Sequence, residues 1–140
     1  MTGRRISGAT AVYGLLGDPV AHSLSPRICN HAFAALDIDA VYVALPCDAR
    51  RPDVVLAGCE ALGLAGLNVT YPLKAAVVPY LRHCSPAARA IGAVNVLAPA
   101  AGGGFAGENT DAPGVALALQ TWLGRSLPAG VVAVLGAGAA

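Results

Sequence analysis

The sequence predicts an α/β fold built around a mostly parallel mixed sheet. Three observations lead there. Short apolar runs alternate with segments long enough and amphipathic enough to be helices. Apolar residues make up 56% of the 140 and charged residues 12%, so the chain can bury a sizeable core and is not of the disordered class. Small polar residues collect just past the apolar runs, at the strand ends where open α/β sheets hold ligands.

The elements follow in order. Residues 11–16 (AVYGLL) are a buried strand closed by Gly17-Asp18-Pro19. Residues 25–36 are a helix with Ser25 as N-cap, Pro26 at the first helical position, and Ile28, Ala32 and Leu36 on one face. A second strand covers 40–45, and a helix over 50–62 stops at Gly63. A third strand covers 65–69, followed by a helix over 73–81 after Pro72. A short helix at 86–91 precedes a strand at 93–98. The turn from Pro99 to Gly104 leads into a return strand at 105–107, which adds one antiparallel pairing near an edge. Asp111 is placed to cap a helix whose Val115, Leu119 and Trp122 share a face. Residues 131–135 form a last strand that runs into Gly136-Ala137-Gly138. Strand, helix, strand, helix, strand is the order of a parallel sheet with right-handed crossovers. The closing G-x-G lacks a third glycine, a helix and a later acidic residue, so by itself it reads equally as a strand-ending turn.

Several classes of function are set aside. Net charge is +1 and no basic run exceeds two residues, which predicts neither nucleic acid nor an anionic membrane as a partner. Cys29, Cys47, Cys59 and Cys84 form no C-x-x-C pair and no zinc spacing with histidine, so no metal is expected. They read as free buried thiols of a reducing, cytoplasmic compartment. Two arginines near the start have no apolar run behind them, so no signal peptide is expected. The uncharged stretch 90–107 is broken by Asn95, Pro99 and three glycines, so it is not expected to span a membrane.

The candidate site residues are short hydroxyls and amides with one lysine. Ser23 and Ser25 follow the first strand, Asn68 and Thr70 close the third, Asn95 interrupts the fourth, and Asn109-Thr110-Asp111 follow the return strand. Such side chains are fixed donors and acceptors with little rotamer entropy to lose, and they suit a small polyhydroxylated ligand. Each also has a local explanation. Ser25 and Asp111 serve as caps, and Asn68 and Thr70 serve a turn before Pro72. Asn95 resists this reading, because a buried amide is costly unless paired. Lys74 sits in an apolar neighbourhood at a helix start, where the dipole disfavours a cation. It is either a surface lysine or a proton-transfer lysine held charged by a carboxylate, with Asp111 the best candidate partner. His31 and His83 read as helix-surface residues, and His22 lies beside the serine pair.

The segments GDPVAHSLSP, GLNVTYPLK, GAVN, GENTD and GAGAA occur in this order, and together they strongly resemble shikimate dehydrogenase from Tyr13 onward. The resemblance is to the N-terminal half of that family. It implies a three-layer α/β/α substrate-binding domain over 1–110, an interdomain helix over 111–123, and at 131–140 the start of a Rossmann-type NADP domain. By this resemblance Ser23 and Ser25 grip the substrate carboxylate. Asn68, Thr70, Lys74, Asn95 and Asp111 contact the substrate, with Lys74 and Asp111 catalytic. Gly136, Ala137, Gly138, Ala139 and Ala140 open the phosphate loop for NADP. The implied reaction is NADPH-dependent reduction of 3-dehydroshikimate to shikimate, and the 140 residues alone are expected to be inactive. A homodimer is among the partners the resemblance allows. Cys29, Val96 and Ala112-Pro113 depart from the family pattern. Pro113 stiffens the start of the last helix, which bears on where the Asp111 carboxylate sits. A quinate/shikimate dehydrogenase using NAD or NADP, and a non-catalytic shikimate-binding remnant, are the rival readings.

Overall fold

The computed structural model describes residues 6–123. In chain order these form β1 (Ala11–Gly17), α1 (Ser25–Ala35), β2 (Ala40–Pro46), α2 (Pro52–Ala61), β3 (Gly66–Val69) and α3 (Leu73–Ala76). A 3-10 turn (Val78–Tyr80), β4 (His83–Cys84), α4 (Pro86–Ile91), β5 (Val96–Pro99), β6 (Phe105–Glu108) and α5 (Asp111–Leu123) complete the order. The strands make one six-stranded sheet in the order β2-β1-β3-β5-β6-β4. β1 runs parallel to both β2 and β3, and β4 runs parallel to β6. β5 is antiparallel to β3 on one side and to β6 on the other.

Alternation along the strands sorts the apolar side chains onto two faces. Leu15 joins Val20 and Tyr42 under α1, with Cys29 and Phe33 of the helix packed against them. Its neighbour Leu16 points the other way and joins Leu67, Val69 and Leu97 beneath α2, α3 and α4, where Leu56, Leu73 and Ala88 complete the larger cluster. Helices therefore lie on both faces, the three layers that the family resemblance implies. No described helix is long and apolar enough to cross a membrane. The four cysteines are free as expected, but only Cys59 is buried and the other three are half-buried. Burial pushes the thiols of Cys29, Cys47 and Cys59 up.

Several elements differ from the sequence expectation. Ser25 does not cap α1: Leu24 occupies the cap position, and the Ser25 amide instead donates to Ser23 Oγ at 3.2 Å. The helix expected over 73–81 is split into α3 and the 3-10 turn, because Pro79 has no N–H to continue the ladder and restricts Val78 before it. β4 was not foreseen, since two residues are too few to show alternation, and it takes His83 out of a helix and onto a sheet edge. The strand expected over 93–98 begins only at Val96, after Gly92 ends α4 in the left-handed region and Ala93 and Val94 turn inward. β5 lies inside the sheet with two antiparallel neighbours, where one antiparallel pair near an edge was expected. Asp111 does not cap α5. Asn109 Oδ1 takes the amides of Asp111 and Ala112 at 3.1 and 3.2 Å, and the Asp111 carboxylate is left for other partners.

The β5–β6 turn closes through the Ala100 amide on Gly104 O at 2.9 Å. Its three glycines, Gly102, Gly103 and Gly104, all have positive φ, and the Gly104 amide also donates to Glu60 Oε1 of α2 at 2.6 Å.

Candidate active site

Reversal of β5 decides where the polar residues meet. β3 ends at Val69, and antiparallel pairing sets Asn68 beside Val96 at the start of β5. The second reversal sets Val96 beside Glu108 at the end of β6. The end of β3, the residue before β5 and the segment after β6 thus share one edge. Asn68, Asn95 and Asp111 come from these three places. Main-chain bonds tie them: the Val69 amide donates to Asn95 O, and the Asn95 amide donates to Glu108 O, both at 2.9 Å.

Lys74 reaches this edge from α3, the short helix after β3. Its Nζ donates to Asp111 Oδ2 at 2.7 Å, with the lysine side chain 15% exposed and the aspartate 38%. The bond is charge-assisted and mostly shielded from water on the lysine side. The other carboxylate oxygen, Oδ1, accepts from Asn95 Nδ2 at 2.6 Å. Asn95 Nδ2 also meets Thr110 Oγ1 at 2.8 Å, and Asn95 Oδ1 accepts the Thr110 amide at 2.9 Å. Both amide hydrogens of Asn95 are therefore engaged. The backbone of the same lysine is fixed as well, its carbonyl accepting the Val94 amide at 2.9 Å. Ala112-Pro113 leave the carboxylate in reach of both partners.

Asn68 is half-buried. Its Nδ2 donates to Asn95 O at 3.2 Å and its Oδ1 accepts from Tyr42 Oη at 2.8 Å. Thr70 is half-buried in the loop after β3. That loop is locked to the end of β1 by the Thr70 amide on Leu16 O at 2.9 Å and the Asp18 amide on Tyr71 O at 3.1 Å. Gly17 permits this approach. A Cβ there would collide with Thr70 Cγ2 and lie 2.8 Å from the Tyr71 carbonyl oxygen.

Ser23 and Ser25, both half-buried, sit in the loop that follows β1 and in the first turn of α1. The Ser23 amide closes a turn on Val20 O at 3.0 Å, and its Oγ accepts from Ser25, so its hydroxyl hydrogen remains free to donate. Among the described residues no hydrogen bond joins either serine to the lysine corner. His22, His31 and His83 are exposed. Gly136, Ala137, Gly138, Ala139 and Ala140, the residues assigned to NADP, lie outside the described residues, as does the strand expected at 131–135.

Three residues take positions that the sequence did not assign them, although Asn109 and Thr110 stood among the candidates. Asn109, 6% exposed, caps α5 and donates through Nδ2 to Ala93 O at 3.0 Å. Its place two residues before Asp111 was the available signal. Thr110 holds Asn95. Tyr42 reads as core within an apolar run, yet a buried phenol needs a partner, and that partner is Asn68.

A lysine–carboxylate pair thus lies among fixed amides and hydroxyls at the strand ends of an open α/β sheet. The chain belongs to the shikimate dehydrogenase substrate binding domain family, whose pattern matches residues 15–97. A shikimate dehydrogenase (NADP(+)) of Synechococcus sp. (strain JA-3-3Ab) is 50% identical over 111 residues, covering 79% of this chain and 38% of that protein. A shikimate dehydrogenase solved in complex with NADP+ superposes with a TM-score of 0.83 at 39% identity, over 89% of this chain and 43% of that one. The Listeria monocytogenes shikimate 5-dehydrogenase, solved with shikimate and NAD, gives 0.80 at 37% identity, over 89% and 42%. The chain thus spans less than half the length of each of these relatives.

Proposed function

We propose that this chain forms the shikimate-binding half of an NADP-dependent shikimate dehydrogenase, which reversibly reduces 3-dehydroshikimate to shikimate. The observation that carries this reading is the Lys74–Asp111–Asn95 set, with Lys74 Nζ 2.7 Å from one carboxylate oxygen and Asn95 Nδ2 2.6 Å from the other. In that reaction NADPH supplies the hydride. The residues of this chain bind, orient and move a proton. Ser23 and Ser25 donate to the substrate carboxylate near the start of α1. Asn68 and Thr70 hold ring hydroxyls. Lys74 gives its proton to the ketone oxygen as that oxygen gains negative charge. A donor aimed there acts most strongly in the transition state and so lowers the barrier. Asp111 directs the lysine through the 2.7 Å bond to its Nζ. Asn95 prevents the carboxylate from turning away, and its contribution runs mainly through Asp111, because both its amide hydrogens are engaged.

Titration of the chain with shikimate and with quinate, followed by calorimetry or NMR, tests the reading. Shikimate binds in preference to quinate, and replacing Ser23 and Ser25 together by Ala weakens shikimate well over tenfold, since each bond to a charged group contributes about 1.5–3 kcal/mol. Equal affinity in the double variant removes the serines from the carboxylate site. Preference for quinate, or no binding of either acid, overturns the proposed substrate.

A further inference from the structure

Tyr42 lies two strands away from Asn68, with β1 between them. Two strand spacings are about 9–10 Å. The ring of Tyr42 crosses over β1, and its hydroxyl ends 2.8 Å from Asn68 Oδ1. The phenol is 4% exposed and packs with Leu15 and Val20 beneath α1. Burial pushes it up to about 12, with Cys29 nearby adding to the effect, so the group remains a neutral donor through the physiological range.

The orientation of the Asn68 amide follows from its other contact. Asn95 O is a carbonyl and can only accept, so the Asn68 NH2 must face it at 3.2 Å and Oδ1 must face the phenol. One hydrogen of Nδ2 is then used on Asn95 and the other is left for a ligand. Without the phenol, the carboxamide would be held at one end only, by the longer of its two bonds.

We infer that Tyr42 is a positioning residue that locks the Asn68 carboxamide, so that its remaining N–H is presented to the substrate. The substrate part of this inference rests on the proposed shikimate binding, whereas the lock itself does not. Phenylalanine has the same ring and reach but no hydroxyl, so Tyr42→Phe removes the lock and keeps the core.

The test uses the 140-residue chain with 15N-labelled asparagine. In the wild type, the two Asn68 side-chain protons give separate signals and interconvert more slowly than those of an exposed asparagine. In Tyr42→Phe they shift and interconvert faster, and shikimate affinity falls about 3- to 10-fold, the range of one hydrogen bond. In an Asn68→Ala background the same substitution leaves shikimate affinity unchanged, an outcome that general loosening of the core would not give. Free rotation of the Asn68 carboxamide in the wild type overturns the lock without recourse to any variant. So does an unchanged signal in Tyr42→Phe. Equal losses of affinity with and without Asn68 show that the phenol acts by another route, and an unchanged affinity in Tyr42→Phe removes the substrate part. If the wild type binds no shikimate, the proposed function and the substrate part fail together, while the amide signals still decide the lock.

Discussion

The corner around Lys74 and the loop carrying Ser23 and Ser25 belong to the same edge of the molecule, but they are built differently. In the corner almost every polar atom has a partner within the chain. Lys74 bonds to Asp111, Asp111 to Asn95, Asn95 to Thr110, and Asn109 pins the start of α5. In the serine loop one amide–hydroxyl bond joins the pair, and hydroxyl capacity is left over. The contrast matches the two tasks proposed for these regions. Groups that meet developing charge gain most when they need no reorganisation at the moment of reaction. Groups that bind an anion must keep donors free for it.

The comparison breaks most severely at Lys74. In a hybrid joining this chain to the part of the Synechococcus relative that lies beyond the matched residues, Lys74→Ala lowers kcat by about 10²–10⁴, the usual contribution of a positioned acid or base. Asp111→Asn is also severe, and the double variant loses little more than the worse single one, since the two act as a unit. Steady-state kinetics decide it. A raised KM with kcat spared would move Lys74 from the chemistry to binding, and the corner would then be a second grip.

Gly17 sits where the two regions touch. Gly17→Ala sets a Cβ against Thr70 and the Tyr71 carbonyl, so the loop after β1 and the loop after β3 must separate. The expected cost is about 1–3 kcal/mol of stability, as for other overpacked sites, measured by urea unfolding. An unchanged midpoint would mean that the loops do not need their close approach. Asn109 sharpens the comparison from the corner side with a smaller effect. Asn109→Ala removes the cap of α5 and lowers stability by about 1 kcal/mol in the same assay. If stability is unchanged, the start of α5 is held by Asp111 and Asn95 without its cap.

Much of this arrangement was legible in the sequence. Apolar runs with their Gly and Pro boundaries gave β1, β2, β3 and most of the helices, because period and punctuation are local signals. The turn at 99–104 announced the β5–β6 pair. What stayed hidden depends on contacts across the sheet. Nothing local in residues 93–99 reveals that β5 also runs against β3, and two residues at β4 carry no period. Lys74 and Asp111 stood out as a charge in an apolar setting and a possible partner, although 37 positions separate them. The capping roles were misread for the opposite reason. Ser25 and Asp111 both fit the local preference, but Ser23 and Asn109 take the amides, and each chosen residue lies two places further along. Tyr42 was invisible because a tyrosine in an apolar strand looks like core until its hydroxyl is traced across β1.

The three-glycine turn between β5 and β6 has a use of its own. It closes the end of the hairpin opposite Asn95 and Asp111, about 13 Å away along a four-residue strand. Its ties are its own closing bonds and the contact with Glu60, none of which involves a candidate site residue. Ala101, exposed beside those glycines, is therefore a natural attachment point: a dye or a short peptide tag there spares their left-handed backbone, rides on the same hairpin that carries the candidate site, and leaves that edge clear.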